Sequence, residues 1–284
     1  MRLSWSSIQT FQKCPKRYKL KYVDKLVSYS SNEYTIFGST VHDLLEELCN
    51  TNRDLKENEF QDLFIKRIVE SASSKFFIEW YNTGKNYLLS DYLEEFYDKH
   101  YRKQLISEMI EQGEFLIVKT LEELKNYFGE FQVISTEHEM NEEMSEVKSN
   151  STWKIKSFID LVIKTNDGKY HIIDYKTTNY DWDTNKRRDP LYTYQLQLYK
   201  HFYCKKHDLN PKDVETYFIL LKRNEKRKKV EILRMSSGNK KNNNMLSMID
   251  KTVQNIERGF FPPLGNFSDC RWCPFRRSEF CNRG

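Results

Sequence analysis

Asp160, Asp174 and Lys176 are the residues of this 284-residue chain whose types and spacing most directly suggest chemistry. In Asp174-Tyr175-Lys176 the acid and the lysine stand two residues apart, so a strand would put both on one face. Asp160 precedes a hairpin signal: Leu161-Val-Ile163, an Asn166-Asp-Gly168 turn, then Tyr170-His-Ile-Ile173. Folding that hairpin brings Asp160 within reach of Asp174. Two carboxylates at close quarters repel unless a cation lies between them, which suits Mg²⁺ or Mn²⁺. A lysine beside them can orient or activate a water, or neutralise charge developing on a phosphate. Taken alone, the same three residues also read as an edge salt bridge.

The cysteines form a second constellation. Cys270, Cys273 and Cys281 crowd into the C-terminal stretch as C-x2-C-x7-C, and Cys14 stands alone near the start. The N-terminus carries no signal-peptide apolar core, so clustered thiols point to a metal before disulfides. Cys49 and Cys204 are isolated among helix-like residues and read as small buried hydrophobes.

The elements that must position these groups follow from periodicity. Leu3 to Phe11 reads as a short helix capped by Ser6 or Ser7, and Phe37 to Cys49 as a helix with Val41, Leu44, Leu45 and Leu48 on one face. Residues 55–128 carry helical spacing without a proline, including Phe60, Phe64, Ile68, Tyr92, Phe96, Ile110, Leu116 and Leu121. We read them as several helices inserted as a lobe. Phe131–Glu137 and Trp153–Ile159 alternate as strands, and the acidic run from Glu137 to Glu146 reads as a solvated loop. A helix is predicted over about Leu191–Lys206, strands over Glu215–Leu221 and Val230–Leu233, and a last helix over 239–258. The order implies an α/β core interrupted by helices.

Composition narrows the classes. Aromatic residues reach 14% against 31% charged, which speaks against a disordered chain, and no apolar run has the length of a membrane span. The net charge of +5 permits a polyanionic partner without demanding one. Lys222–Lys229 and Lys186–Arg188 are basic segments that could contact phosphates, and Tyr180 and Trp182 are candidates for base stacking. Lys222–Lys229 reads equally well as a solvated turn.

Further residues stand in a recognisable order around the acids. Gly38-x-x-x-His42 lies upstream at a helix start, and Gln195-x-x-x-Tyr199 lies downstream with both residues on one helix face. With Asp160, Asp174-Tyr-Lys176 and the string Ser4-x-Ser6, Phe11-x-x-Cys14-Pro15-x-x-Tyr18-x-x-x-Tyr22, this set resembles the RecB-like branch of the PD-(D/E)xK nucleases. Cys270-x-x-Cys273-Pro274 and Cys281 resemble its iron–sulfur members, the CRISPR-associated RecB-like exonucleases and the AddB-type recombination nucleases.

The resemblance implies an α/β restriction-endonuclease-like fold. A central mixed sheet is flanked by helices, with a large helical insertion and the N- and C-termini stapled by an iron–sulfur site. It implies one nuclease domain over 1–284, with the insertion at about 50–130, the core at about 131–235 and the iron–sulfur module formed by Cys14 with 265–284. It implies His42, Asp160 and Asp174 as metal ligands with the Tyr175 carbonyl, Lys176 as the catalytic lysine, and Gln195 and Tyr199 as supports of the site or DNA contacts. Glu137 matches a position often acidic in the family, and Ser157 replaces a customary glycine. Cys14, Cys270, Cys273 and Cys281 are implied to hold a [4Fe–4S] cluster, with zinc on the same thiolates as the alternative.

The expected activity is metal-dependent DNA exonuclease action, with Mn²⁺ or Mg²⁺, on DNA ends or single strands. Recombination, repair or CRISPR-adaptation end processing would be its setting. The expected partners are DNA and a recombination or helicase protein, without a membrane, in the cytoplasm of a bacterial or phage-infected cell. Two other functions remain open: a non-catalytic DNA-end-binding subunit and a structure-specific endonuclease.

Overall fold

The computed structural model describes residues 1–26, 32–83, 103–226, 228–265, 267–271 and 273–281. A six-stranded mixed sheet runs through it: β1 (Arg2–Leu3), β2 (Phe131–Glu143), β3 (Lys154–Thr165), β4 (Tyr170–Thr178), β5 (Val214–Lys222) and β6 (Val230–Met235). The path is β1-β3-β4-β5-β6, with β2 pairing along the other edge of β3. β3 and β4 form the antiparallel hairpin expected from the Asp-Gly turn, in which Gly168 adopts a φ of 85° and its N–H donates to the Thr165 carbonyl. β4 and β5 are parallel, joined by a crossover through α6 (Thr184–Arg188) and α7 (Pro190–His207).

Sequence expectations are corrected at two strands and at the cap of the first helix. β3 is one strand through Trp153's neighbour Lys154 to Thr165, and the two short runs read from the sequence are its halves. β2 continues through the acidic run to Glu143, because Glu139 and Glu143 pair with Lys156 and Lys154 of β3 and Glu142 with Lys206 of α7. Cross-strand cations offset the repulsion that would make such a run a solvated loop. The first helix, α1 (Trp5–Lys13), which the short α2 (Pro15–Tyr18) follows, is capped by Ser4 instead of Ser6 or Ser7. Its side chain accepts from the Ser7 N–H, and the Ser7 hydroxyl closes a reciprocal capping box.

Helices cover both faces. On one side α1, α7 and α8 (Asn239–Glu257) bury Trp5, Ile8, Phe11, Leu196, Phe202, Met245 and Ile249 against Ile155, Ile159, Ile172 and Phe218. On the other, α3 (Glu33–Thr51), α4 (Glu59–Thr83) and α5 (Lys103–Phe128) bury Phe37, Leu45, Phe60, Phe64, Leu116 and Ile117 against Leu161, Ile173, Ile219 and Leu221. α4 and α5 therefore form part of the layer that keeps this face of the sheet dry, instead of a lobe appended to it. Tyr92 and Phe96, read as part of the same helical spacing, lie outside the described residues. Among the described residues no helix is long and apolar enough to cross a membrane.

Gly113 of α5 lies against Phe60 of α4. A Cβ there would lie 2.2 Å from the Phe60 ring, which is fully buried. Gly113→Ala is expected to destabilise by about 1–3 kcal/mol, the cost of overpacking, even though alanine favours a helix interior by about 1 kcal/mol. Thermal unfolding checks the sign, and Phe60→Leu in the Gly113→Ala background should recover part of the loss.

Candidate active site

The site arises where β3 and β4 part. Their ladder runs from Lys164↔Tyr170 to Leu161↔Ile173 and stops, so Asp160 and Asp174 face the first unpaired step. Beyond it β4 pairs with β5 only, and β3 meets β1 at Lys154 and Ile155. The fork lets the Tyr175 N–H, freed from a ladder partner on that side, donate to Asp160 Oδ2 at 2.7 Å. The N–H and C=O of a strand residue point to the same side, so the Tyr175 carbonyl also faces the fork.

Asp174 is buried at 1% exposure. Lys176 Nζ lies 2.5 Å from its Oδ1, and Gln195 Nε2 donates to its Oδ2 at 2.9 Å and to the Tyr199 hydroxyl at 2.8 Å. α7 can present Gln195 and Tyr199 together because they lie one turn apart. Its start is set by Asp189, whose side chain caps the Leu191 N–H, and by Pro190 in the first turn. On the other side His42 Nδ1 lies 3.5 Å from Asp160 Oδ2, and its ring stands edge-on to Tyr175 with centroids 5.7 Å apart. Gly38 permits this approach: a Cβ there would sit 3.0 Å from Thr177 Oγ1, so a larger residue would hold α3 away from β4.

Burial dominates the electrostatics. It pushes the Asp160 and Asp174 carboxyls up to about 6, against the opposing pull of Lys176. Desolvation likewise lowers His42 to about 4, so its imidazole is neutral near pH 7 and has a lone pair to offer. Glu137 is raised to about 7 by burial and then by the charges of Asp160, Glu46, Asp43 and Asp174. It sits on β2 in a left-handed conformation, φ 42°.

Glu46 escaped the sequence reading. It lies one helical turn beyond His42 and accepts from Thr136 Oγ1 at 3.3 Å, and its charge acts on both Asp160 and Glu137. Its position four residues after His42 on the same helix was the available signal.

The fork thus gathers His42, Asp160, Asp174, Lys176, Gln195 and Tyr199. Among the described residues, no three His, Cys, Asp or Glu side chains stand close enough together to enclose a metal ion as they are placed.

The other constellations divide. Cys14, Cys270, Cys273 and Cys281 line one pocket, together with Lys13, Lys16, Arg17 and Arg276, and none is in a disulfide. Gly265 leaves room there, since a Cβ would lie 3.1 Å from Cys270 Sγ and 3.7 Å from Cys14 Cβ. Trp182 cannot stack on a base: it is 4% exposed and packs on Tyr192 and Phe218. Tyr180 is exposed.

Within the basic run, Lys222 is buried and paired with Glu231 at 3.0 Å. Arg223 is buried over the Tyr34 and Phe37 rings, so neither reaches a phosphate. The polar ends of both side chains are consumed inside the fold, which a run of like charges in sequence does not reveal. Arg227 lies outside the described residues. Near the fork, Arg187 pairs with Asp181 and Glu231, Lys186 lies over Trp182, and Arg188 is exposed.

A mixed sheet covered by helices on both faces, with an aspartate opposite an Asp-x-Lys pair where two strands part, defines a nuclease-type α/β fold. The chain belongs to the PD-(D/E)XK nuclease superfamily, whose sequence pattern it matches from residue 2 to residue 281. It is similar in fold to the crystal structure of a protein from Eubacterium rectale described as a "Putative exonuclease". That match has 15% identity and a TM-score of 0.54, and it covers 97% of this chain and 88% of the other. The crystal structure of SSO0001 matches over 63% of this chain and 75% of its own, at 20% identity and a TM-score of 0.36. A comparison with curated proteins finds no match. Superfamily membership supports nuclease activity.

Proposed function

We propose that this chain is a Mn²⁺- or Mg²⁺-dependent DNA exonuclease of the RecB-like branch, a single nuclease domain over 1–284 that acts at DNA ends or in single strands. The observation that carries the reading is the meeting of Asp160, Asp174, Lys176 and His42 at the strand fork. Two carboxylates forced together under desolvation, with a neutral imidazole beside them, are a donor set suited to a hard divalent cation that tolerates nitrogen. Asp160, Asp174 and His42 would hold it, with the Tyr175 carbonyl. When bound, such a cation lowers the pKa of water and polarises a phosphodiester.

The chain's own groups do the rest. Lys176 places an ammonium where charge develops on the phosphate and where a water proton can be held. Gln195 fixes the Asp174 carboxylate by a hydrogen bond to Oδ2 and is itself oriented by Tyr199. Held in this way, Asp174 keeps one geometry in a site that opens to solvent at Lys176.

Cys14, Cys270, Cys273 and Cys281 would hold a [4Fe–4S] cluster. The shared pocket and its basic side chains suit four thiolates, and zinc on the same residues is the outcome to be distinguished. When bound, the group ties the N-terminal helices to the C-terminal segment. Thiol ligands fit a reducing compartment, such as the cytoplasm of a bacterial or phage-infected cell.

End-labelled linear and closed circular single-stranded DNA, each incubated with Mn²⁺, test the reading. An exonuclease degrades the linear strand and spares the circle. Cleavage of the circle would make the chain an endonuclease, and binding of ends without cleavage would make it a non-catalytic end-binding subunit.

A further inference from the structure

The edge of β3 just before Asp160 forms a groove that the proposed chemistry leaves unused. β3 meets β1 at Lys154 and Ile155 and meets β4 only from Leu161 onward, so the edge at 156–160 has no strand neighbour on that side. Arg2, Ser4, Ser6, Lys156 and Phe158 line the groove, which ends at Gln195 and Tyr199 beside Asp174.

Phe158 is the anomaly. It is 42% exposed in the middle of a strand, between the buried Ser157 and Ile159. It also shares the side of β3 that carries Asp160, two residues and so about 6.6 Å away. A core role would hide the ring; here it stands open at the approach to the carboxylates.

The polar groups around the ring suit a phosphodiester strand. Lys156 Nζ lies 5.6 Å from the Phe158 ring centroid and 3.1 Å from Glu139, and Arg2, which also lines the groove, is exposed. The N-terminus of α1 opens onto the same groove. Ser4 satisfies the Ser7 N–H with its side chain and the Ile8 N–H with its carbonyl. The N–H groups of Trp5 and Ser6 remain at the open helix end, where an anion is favoured, beside the Ser4 and Ser6 hydroxyls. An apolar ring on the Asp160 side of β3, with cationic and N–H groups along the open edge that ends at Gln195 and Tyr199, makes the two halves of a single-strand binding surface.

We propose that this groove is a nucleotide subsite for single-stranded DNA. Phe158 stacks on the base next to the scissile phosphate, and Arg2, Lys156 and the α1 N-terminus hold the phosphate beyond it. The inference rests on the nuclease reading and names the substrate form that reaches the site. A duplex offers no free base face to the ring, so frayed or single-stranded ends are the form admitted.

The test is fluorescence anisotropy in EDTA, where no cation-dependent cleavage occurs, with labelled oligo-dT and an abasic oligomer of equal length. Wild type should bind oligo-dT about tenfold or more tightly than the abasic strand, since stacking on one aromatic ring is worth about that factor. Phe158→Ala should erase the difference and Phe158→Trp should restore it. Arg2→Ala should weaken both strands alike and flatten the salt dependence. A base-dependent difference that survives Phe158→Ala, or none in wild type, would overturn the proposal. Because this readout needs no catalysis, it is separate from Mn²⁺-dependent cleavage by wild type, whose absence would remove the nuclease reading instead.

Discussion

A Lys176→Ala protein is expected to hydrolyse linear DNA about 10²–10³-fold more slowly than wild type with Mn²⁺, the range seen when one preorganised charge-stabilising group is lost. The ammonium lies 2.5 Å from Asp174 Oδ1 and 5.6 Å from the Phe218 ring centroid, at the edge of a site whose carboxylates are otherwise desolvated. Its removal leaves the buried Asp174 with the Gln195 amide as its remaining named donor. The metal-free variant should therefore be less stable than wild type, by roughly 1–3 kcal/mol, because a buried charge loses its partner while Lys176 itself is partly exposed.

Added Mn²⁺ should raise the variant's melting temperature more than that of wild type, since the cation supplies the charge that the ammonium no longer does. Single-turnover cleavage of end-labelled DNA and a thermal melt with and without Mn²⁺ read the two effects. Full cleavage by Lys176→Ala would remove Lys176 from the proposed chemistry.

Replacement of Cys273 by serine is expected to have the largest effect on the protein's integrity. Anaerobically purified wild type should be brown and carry iron, and the Cys273→Ser variant should lose both, with the terminal segments becoming sensitive to protease. Binding of a structural metal contributes on the order of 10 kcal/mol to small thiolate sites, so its loss exceeds what local packing around Cys14 and Cys270 can offset. Among the described residues, the Lys16 N–H donates to the Pro262 carbonyl at 3.3 Å, a weak backbone tie between these regions.

Cys204→Ser, at a buried cysteine that does not line the pocket, should retain the iron. Iron and zinc analysis of the two variants reads the result. Zinc in place of iron would identify the alternative metal, and wild-type protein without either would remove the ligand role from all four thiols.

Much of the site was legible because its signals are local. Asp174 and Lys176 share a strand face by the two-residue period, and Asp160 reaches them through a hairpin that its own Asp-Gly turn declares. Gln195 and Tyr199 are paired by the helical turn between them. Other parts were not legible for equally physical reasons. Trp182 and Lys222 look available in sequence, yet one is packed and the other is paired inside the sheet edge, and partners distant in sequence decide such burial. Glu139, Glu142 and Glu143 look like a loop until lysines from β3 and α7 are placed opposite them. Residues 59–71 and 105–128 read as inserted helices, but their apolar side chains cover the sheet.

By itself the sequence determined which residues could do chemistry and the elements that carry them, because type, turn chemistry and periodicity act over a few residues. Only the tertiary structure decided that β3 and β4 part at Asp160 and Asp174. A ladder ends where the strands diverge under the packing of α3 on one side and α7 on the other, and no short stretch of sequence holds both helices. The same divergence leaves the edge of β3 open beside Phe158, so that its ring stands exposed in mid-strand, on the side of β3 that carries Asp160.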